Sequence, residues 1–217
     1  MRARPTAKPP FQKIPLLLGL ACLSLFSCRK EEPTIVATSL SPAQEQAVVQ
    51  QGTAASQALM KTLGGQLKAA LQSGGPENAL QVCQSVAQPL TAQTSETQAR
   101  ATVTRTASRF RNPLNQPDAT DKMVLAEWEK MISQGKELPP HRIFPIDEHQ
   151  ALFYKPIPTE AICLKCHGDP ATFSPALAAK IKEAYPQDQA TGFQEGDLRG
   201  VFRVLVNLEP SLPSANN

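Results

Sequence analysis

The sequence predicts an α+β domain in which helices come first and short antiparallel strands come late. Between Ala47 and Leu71 the apolar residues recur at helical spacing. Val201 to Leu208 instead alternates, with Phe202, Val204 and Val206 on one side and Val201, Arg203 and Leu205 on the other. The other strand-like stretches are short, at 102–106, 141–145 and 151–157, without the regular strand–helix–strand order of a parallel doubly wound sheet. At 217 residues the chain is long enough for one domain with a real core plus tails.

Residues 1–27 read as a signal peptide. Arg2, Arg4, Lys8 and Lys13 precede an uncharged apolar run, Ile14 to Phe26, too short for a comfortable membrane span. The run ends in Leu25-Phe26-Ser27-Cys28, which resembles a bacterial lipobox and makes Cys28 the expected site of a lipid anchor. Leu20-Ala21-Cys22 is a poorer version, with Gly19 where an aliphatic residue belongs, and a chance Cys28 behind an ordinary signal is the alternative. The formal charge of +3 resides in this leader; removing it leaves 18 Lys+Arg against 19 Asp+Glu. A near-neutral mature chain argues against a nucleic-acid partner or a polybasic membrane surface. Arg29-Lys30-Glu31-Glu32 lacks the Asp that retains lipoproteins in the inner membrane, which places the expected anchor in the outer membrane, facing the periplasm or the surface.

Residues 28–40, polar with Pro33, read as a tether to a domain spanning 41–208, with 209–217 as a tail. Ser41-Pro42-Ala43-Gln44 is a helix start, with Ser at N-cap, Pro at N1 and Gln at N3. The long helix that follows should bend at Gly64-Gly65 and end at Gly74-Gly75. Pro76 opens a second helix to about Gln88, stopped by Pro89, whose stripe Ala79, Cys83, Val86 and Leu90 turns Cys83 inward. Thr102 to Thr106 has the β-branched content of a strand. Arg105, Arg109 and Arg111 follow closely, either as a solvated basic stretch or as partners for carboxylates. Thr120 can cap a helix from Asp121 to about Ser133, with Val124 or Leu125, Trp128 and Ile132 inward. Pro145 and Pro156 assign the next two strands to edges or strand ends around the turn Asp147-Glu148-His149. Thr159 is the expected cap of a single turn carrying Cys163 and Cys166, and Ser174-Pro175 starts a helix to Ala184 with Leu177, Ile181 and Tyr185 on one side.

The chemistry sits in Cys163-Leu164-Lys165-Cys166-His167. In an exported protein this C-x-x-C-H run reads as the attachment site of one covalent c-type haem: two thiols a helical turn apart meet the two vinyl groups, and the next residue sets an imidazole beneath the iron. Cys with His also suits zinc, and Cys83 would complete a Cys3His set, although adjacent Cys166 and His167 are awkward ligands for a tetrahedron. With Cys22 assigned to the leader and Cys28 to lipid, Cys83 is the one thiol left over, either a small core residue or a ligand. His141 and His149 are the other imidazoles that could meet iron, and Arg105, Arg109 and Arg111 are the candidate partners of the haem propionates. The chain is too long, and its last strand too well formed, for the small all-helical fold of ordinary cytochromes c.

Several stretches occur together in order: Ala79-Leu80-Gln81-Val82-Cys83, the run from Arg105-Thr106-Ala107 through Arg111-Asn112-Pro113 to Pro117-Asp118, Tyr154-Lys155-Pro156-Ile157, Cys163 to Gly168, and Ile181 to Pro186 followed by Gly192 to Gly200. Together they resemble the family of periplasmic c-type haem domains catalogued as the domain of unknown function DUF3365, over most of residues 45–208. The resemblance implies a PAS-like antiparallel sheet with flanking helices, preceded by a long N-terminal helix. It also implies iron held by the His of C-x-x-C-H, here His167, and on the opposite face by a Cys from the helix after the long one, here Cys83. Thr120-Asp121 departs from the family's Trp-Glu pair.

The functions that follow are one-electron transfer at the cell envelope, or redox or gas sensing through loss of Cys83 on reduction, with an unspecified redox or signalling partner and no enzymatic activity. A haem enzyme of peroxidase type needs an open sixth position and a distal acid–base residue from His141 or His149. A structural zinc site is the third alternative.

Overall fold

The structure, a computed structural model, describes residues 39–208. The expected signal peptide, Cys28 and the tail 209–217 lie outside the described residues, as does all but the end of the tether. That end is already part of the domain, because Leu40 packs half-buried against the main core.

Helix α1 spans Pro42–Ser85 and is broken at Gly74 and Gly75. Its start is a complete capping box: the Ser41 hydroxyl accepts from the Gln44 N–H while the Gln44 side chain accepts from the Ser41 N–H. Gly75 adopts φ 70°, a conformation a side chain would disfavour, so the chain changes direction there and Pro76 restarts the helix. Gly64 and Gly65 both stay helical, so the pair does not interrupt the helix. After the second limb of α1, Val86 separates a further helix, α2, Ala87–Glu96. Pro89 therefore opens a helix instead of stopping one, as its missing N–H costs nothing in a first turn.

Four strands form one antiparallel sheet: β1 Ala101–Thr106, β2 Arg142–Pro145, β3 Gln150–Pro158 and β4 Leu198–Asn207, in the spatial order β1-β4-β3-β2. β3 is an inner strand, yet Pro156 sits near its end, as the sequence allowed. It tolerates Pro156 because β2 pairs only with Ala151 to Tyr154, so β3 has a single neighbour at Pro156. Both faces of the sheet are covered. On one, Val48, Ala55 and Leu59 of α1 pack against Val103, Phe153, Phe202, Val204 and Val206. On the other, Val124, Leu125 and Trp128 pack against Leu152, Tyr154, Leu198 and Val201. These come from α3, Ala119–Ser133, capped by Asp118 in a box with Asp121, so the helix begins two residues before the expected Asp121 start and Thr120 is inside it. The turn α4, Leu164–His167, and α5, Pro175–Ala184, complete the chain. Ser174 caps α5 as expected, and Leu177, Ile181 and Tyr185 pack on Leu80 of the second limb of α1.

Candidate functional site

The sheet, the two limbs of α1 and the turn α4 enclose a cavity of about 420 Å³. That size lies within the usual range for a ligand pocket. Cys83, Cys163, Cys166 and His167 all line it, although some eighty residues of chain separate the first from the rest. Each is placed by a different local cause. Cys83 is carried by the short limb that starts at Pro76, and Leu80, one turn earlier, anchors that limb on α5. Cys163 begins α4, with its N–H donating to the Glu160 carbonyl. Thr159 does not cap this turn: its backbone ties to Gly196 and Asp197, and its hydroxyl is buried without a partner.

His167 is held from behind. Its Nδ1 lies 2.7 Å from the Ala190 carbonyl oxygen, so Nδ1 carries the proton and donates. Nε2 is then the nitrogen with a free lone pair. Burial lowers its pKa well below the ordinary imidazole value, helped by Arg199 and Arg111 and opposed by the Ala190 bond. Burial also raises the Cys166 thiol to about 11 and raises Cys83, against the pull of Arg105, Arg111 and Arg199.

The three arginines read together in the sequence separate in the structure. Arg109 does not line the cavity; its guanidinium stacks 3.5 Å from the Phe193 ring centre, sits 3.7 Å from Asp197 and donates to Thr191 O. Arg111 lines it but is already engaged, in an ion pair of 3.0 Å with Asp188 and in bonds to the carbonyls of Cys166 and Ala190. Only Arg105 fits the expectation of a guanidinium facing the cavity without a carboxylate. Its bond to Thr91 Oγ1 is long at 3.4 Å, and its Nε is buried without a partner. Burial lowers its pKa.

Arg199 was not legible in the sequence. It lines the cavity, donates weakly to the Arg109 carbonyl at 3.4 Å, and burial lowers its pKa to about 10. The cause of its position is a bulge: Ile157 pairs with Gly200 and Pro158 with Leu198, so Arg199 is the extra residue of β4. Strict alternation would have sent it to the side of Val201 and Arg203. Gly200 permits the close approach of β1 here, since a Cβ would come within 2.6 Å of the Thr106 carbonyl oxygen. Apart from Glu160, the charged lining residues are cations: Lys68, Arg105, Arg111 and Arg199.

The alternatives of the sequence reading meet this geometry differently. Among the described residues no three His, Cys, Asp or Glu side chains gather closely enough to hold a metal ion, so the four thiol and imidazole groups share a cavity without converging on a zinc-sized point. His141 stacks on Phe153 with ring centres 5.3 Å apart, and His149 sits on an exposed turn beside Glu148. Neither lines the cavity.

The profile of the Tll0287-like family matches residues 32–207. The chain belongs to that family. The resemblance to DUF3365 is thereby borne out, and so is the α+β fold with its long helix, antiparallel sheet and flanking helices. A solved structure titled "Crystal structure of the cyanobacterial heme-protein Tll0287" is similar at 26% identity and a TM-score of 0.52, covering 81% of this chain and 100% of that one. No curated protein matches.

Three features of this member of the family fit a bound haem. His167 offers Nε2 with its tautomer fixed from behind. Arg105 keeps a buried nitrogen without a partner at the cavity wall. Gly64 lines the cavity on α1, and a Cβ there would meet nothing within 4 Å, so this stretch of the wall leaves room for a ligand.

Proposed function

We propose that this protein is a c-type haem protein of the bacterial cell envelope that transfers single electrons or senses redox state or small gases, and is not an enzyme. Cys163 and Cys166 would hold one haem covalently, and His167, through Nε2, and Cys83 would be the ligands of its iron. The supporting observation is the convergence of Cys83 with the C-x-x-C-H turn on one cavity, with His167 Nδ1 already committed to the Ala190 carbonyl. Arg105 and Arg199 are the guanidiniums for the propionates, because neither has a carboxylate partner among the described residues and a fork geometry suits that pairing. Arg109 and Arg111 are left out of this pairing because each already meets a carboxylate.

The bound haem would supply a one-electron couple. The chain's part is to set its value: a thiolate stabilises the ferric state, buried guanidiniums favour the ferrous one, and the apolar wall excludes water. With His167 and Cys83 both engaged as ligands, the chain would leave no open position for a substrate. Release of Cys83 would create one, and that is the route to a sensing role. Attachment is through lipid on Cys28 in the outer membrane, and the partner is a redox or signalling protein.

Absorption spectroscopy of protein made in a strain with c-type maturation tests this reading. A Soret band that stays with the denatured polypeptide is expected, and zinc without a Soret band would sink the proposal. Cys83→Ala should then convert a low-spin ferric spectrum to high-spin; an unchanged spectrum would remove Cys83 as a ligand.

A further inference from the structure

Arg111, which lines the cavity and which the sequence reading grouped with the propionate partners, also holds the loop behind His167. Its side chain is 7% exposed and its Nη2 serves three acceptors: Cys166 O at 2.7 Å, Asp188 Oδ2 at 3.0 Å and Ala190 O at 3.2 Å. Ala190 O is the same oxygen that accepts from His167 Nδ1 at 2.7 Å. Asp188, 10% exposed, closes the ring by accepting from the Ala190 N–H through Oδ1 at 2.8 Å. The loop bearing Ala190 is strapped on both sides, by Gln189 N–H to Phe110 O and by Phe193 N–H to His167 O, which keeps the shared carbonyl in place.

We propose that Arg111 and Asp188 form a latch that positions His167 through the Ala190 carbonyl and sets how strongly it donates to iron, and that they do not bind a propionate. This rests on the haem reading above. The physical argument concerns one carbonyl with two donors. An imidazole whose N–H meets a strong acceptor gains imidazolate character and becomes a stronger ligand. A guanidinium drawing on the same oxygen weakens that acceptor, so Arg111 holds His167 nearer the neutral limit. Asp188 moderates the effect by neutralising Arg111. Stronger donation favours ferric iron and weaker donation favours ferrous iron, so the two residues push the potential in opposite directions.

Opposite signs make the test. In the mature holoprotein, Arg111→Gln should lower the midpoint potential and raise the iron–histidine stretching frequency. Asp188→Asn, which leaves the guanidinium unneutralised against Ala190 O, should raise the potential and lower that frequency. Arg111→Lys, which keeps the charge and a donor, should return both toward wild type. A role confined to holding the loop would move both variants the same way, or neither, and either result would overturn the proposal. If Arg111→Gln does not accumulate with haem, the sign of the Asp188→Asn shift decides alone. A wild-type protein without a Soret band would instead fail the haem reading, so the two failures are distinguishable.

Discussion

The first and second stretches of α1 before its break carry the same kind of apolar stripe and do different work. In the first, Val48, Ala55 and Leu59 are fully buried against the sheet. In the second, Met60, Leu63, Leu67 and Leu71 line the cavity; Leu63 also packs on the main core, Leu67 and Leu71 are half-buried, and Met60 is 49% exposed. Helical spacing therefore reports that a face is apolar and not what covers it. The sheet covers one stretch, and the cavity contents are left to cover the other. Even the glycines divide this way: a Cβ on Gly52 would overlap the Phe153 ring, whereas one on Gly64 would meet nothing within 4 Å.

Truncation should expose this contrast most strongly. Leu59→Ala removes a fully buried side chain from the main core and should cost about 2–5 kcal/mol in denaturant unfolding, with or without haem. Leu67→Ala should cost little in haem-free protein, because its side chain faces the cavity, and more in the holoprotein. Equal losses at the two positions in haem-free protein would break the comparison.

The glycine pair should give a smaller effect of opposite sign. Gly52→Ala forces Phe153 or the helix to shift and should destabilise by roughly 1–3 kcal/mol. Gly64→Ala adds a better helix former in open space and should stabilise the haem-free protein by up to about 1 kcal/mol. Gly64→Leu extends the same test toward function, since the larger side chain occupies the cavity and should reduce haem incorporation. Unchanged haem content in Gly64→Leu would show that the ring does not lie against this turn.

How much of this could be read in advance follows from what alternation and spacing encode. The capping box at Ser41, the α5 stripe Leu177-Ile181-Tyr185 and the inward face of α3 are local patterns, and the structure reproduces them. Arg199 was invisible for a definite reason: it is the bulged residue of β4, and a bulge reverses the face that alternation assigns. Arg203, equally charged and four residues on, goes to Asp118 and Asp121 instead, so composition does not separate the two. The support of His167 is a backbone carbonyl, and carbonyls carry no sequence signature. Arg111 was found, but its ion pair was not, because Asp188 lies far along the chain.

A substitution on the far face of the sheet sharpens the comparison in another way. Tyr154 is fully buried, and its hydroxyl donates to Asp121 Oδ1 at 2.7 Å, while Arg203 Nε lies 3.1 Å from the same oxygen. Burial, followed by the bond to Asp121, raises the phenol's pKa. A group whose folded pKa is raised contributes stability that is fully present below its unfolded pKa, near ~10 for tyrosine, and is lost as pH rises beyond it. The wild-type protein should therefore lose stability steeply above about pH 10. Tyr154→Phe should cost roughly 1.5 kcal/mol at neutral pH, since it removes a bond to a carboxylate that Arg203 still neutralises, and it should flatten the alkaline limb. Tyr154 does not line the cavity, so the haem spectrum of this variant should match wild type. A shifted Soret band in Tyr154→Phe would mean that the packed face and the cavity are coupled through β3, and the division drawn along α1 would then hold for packing alone.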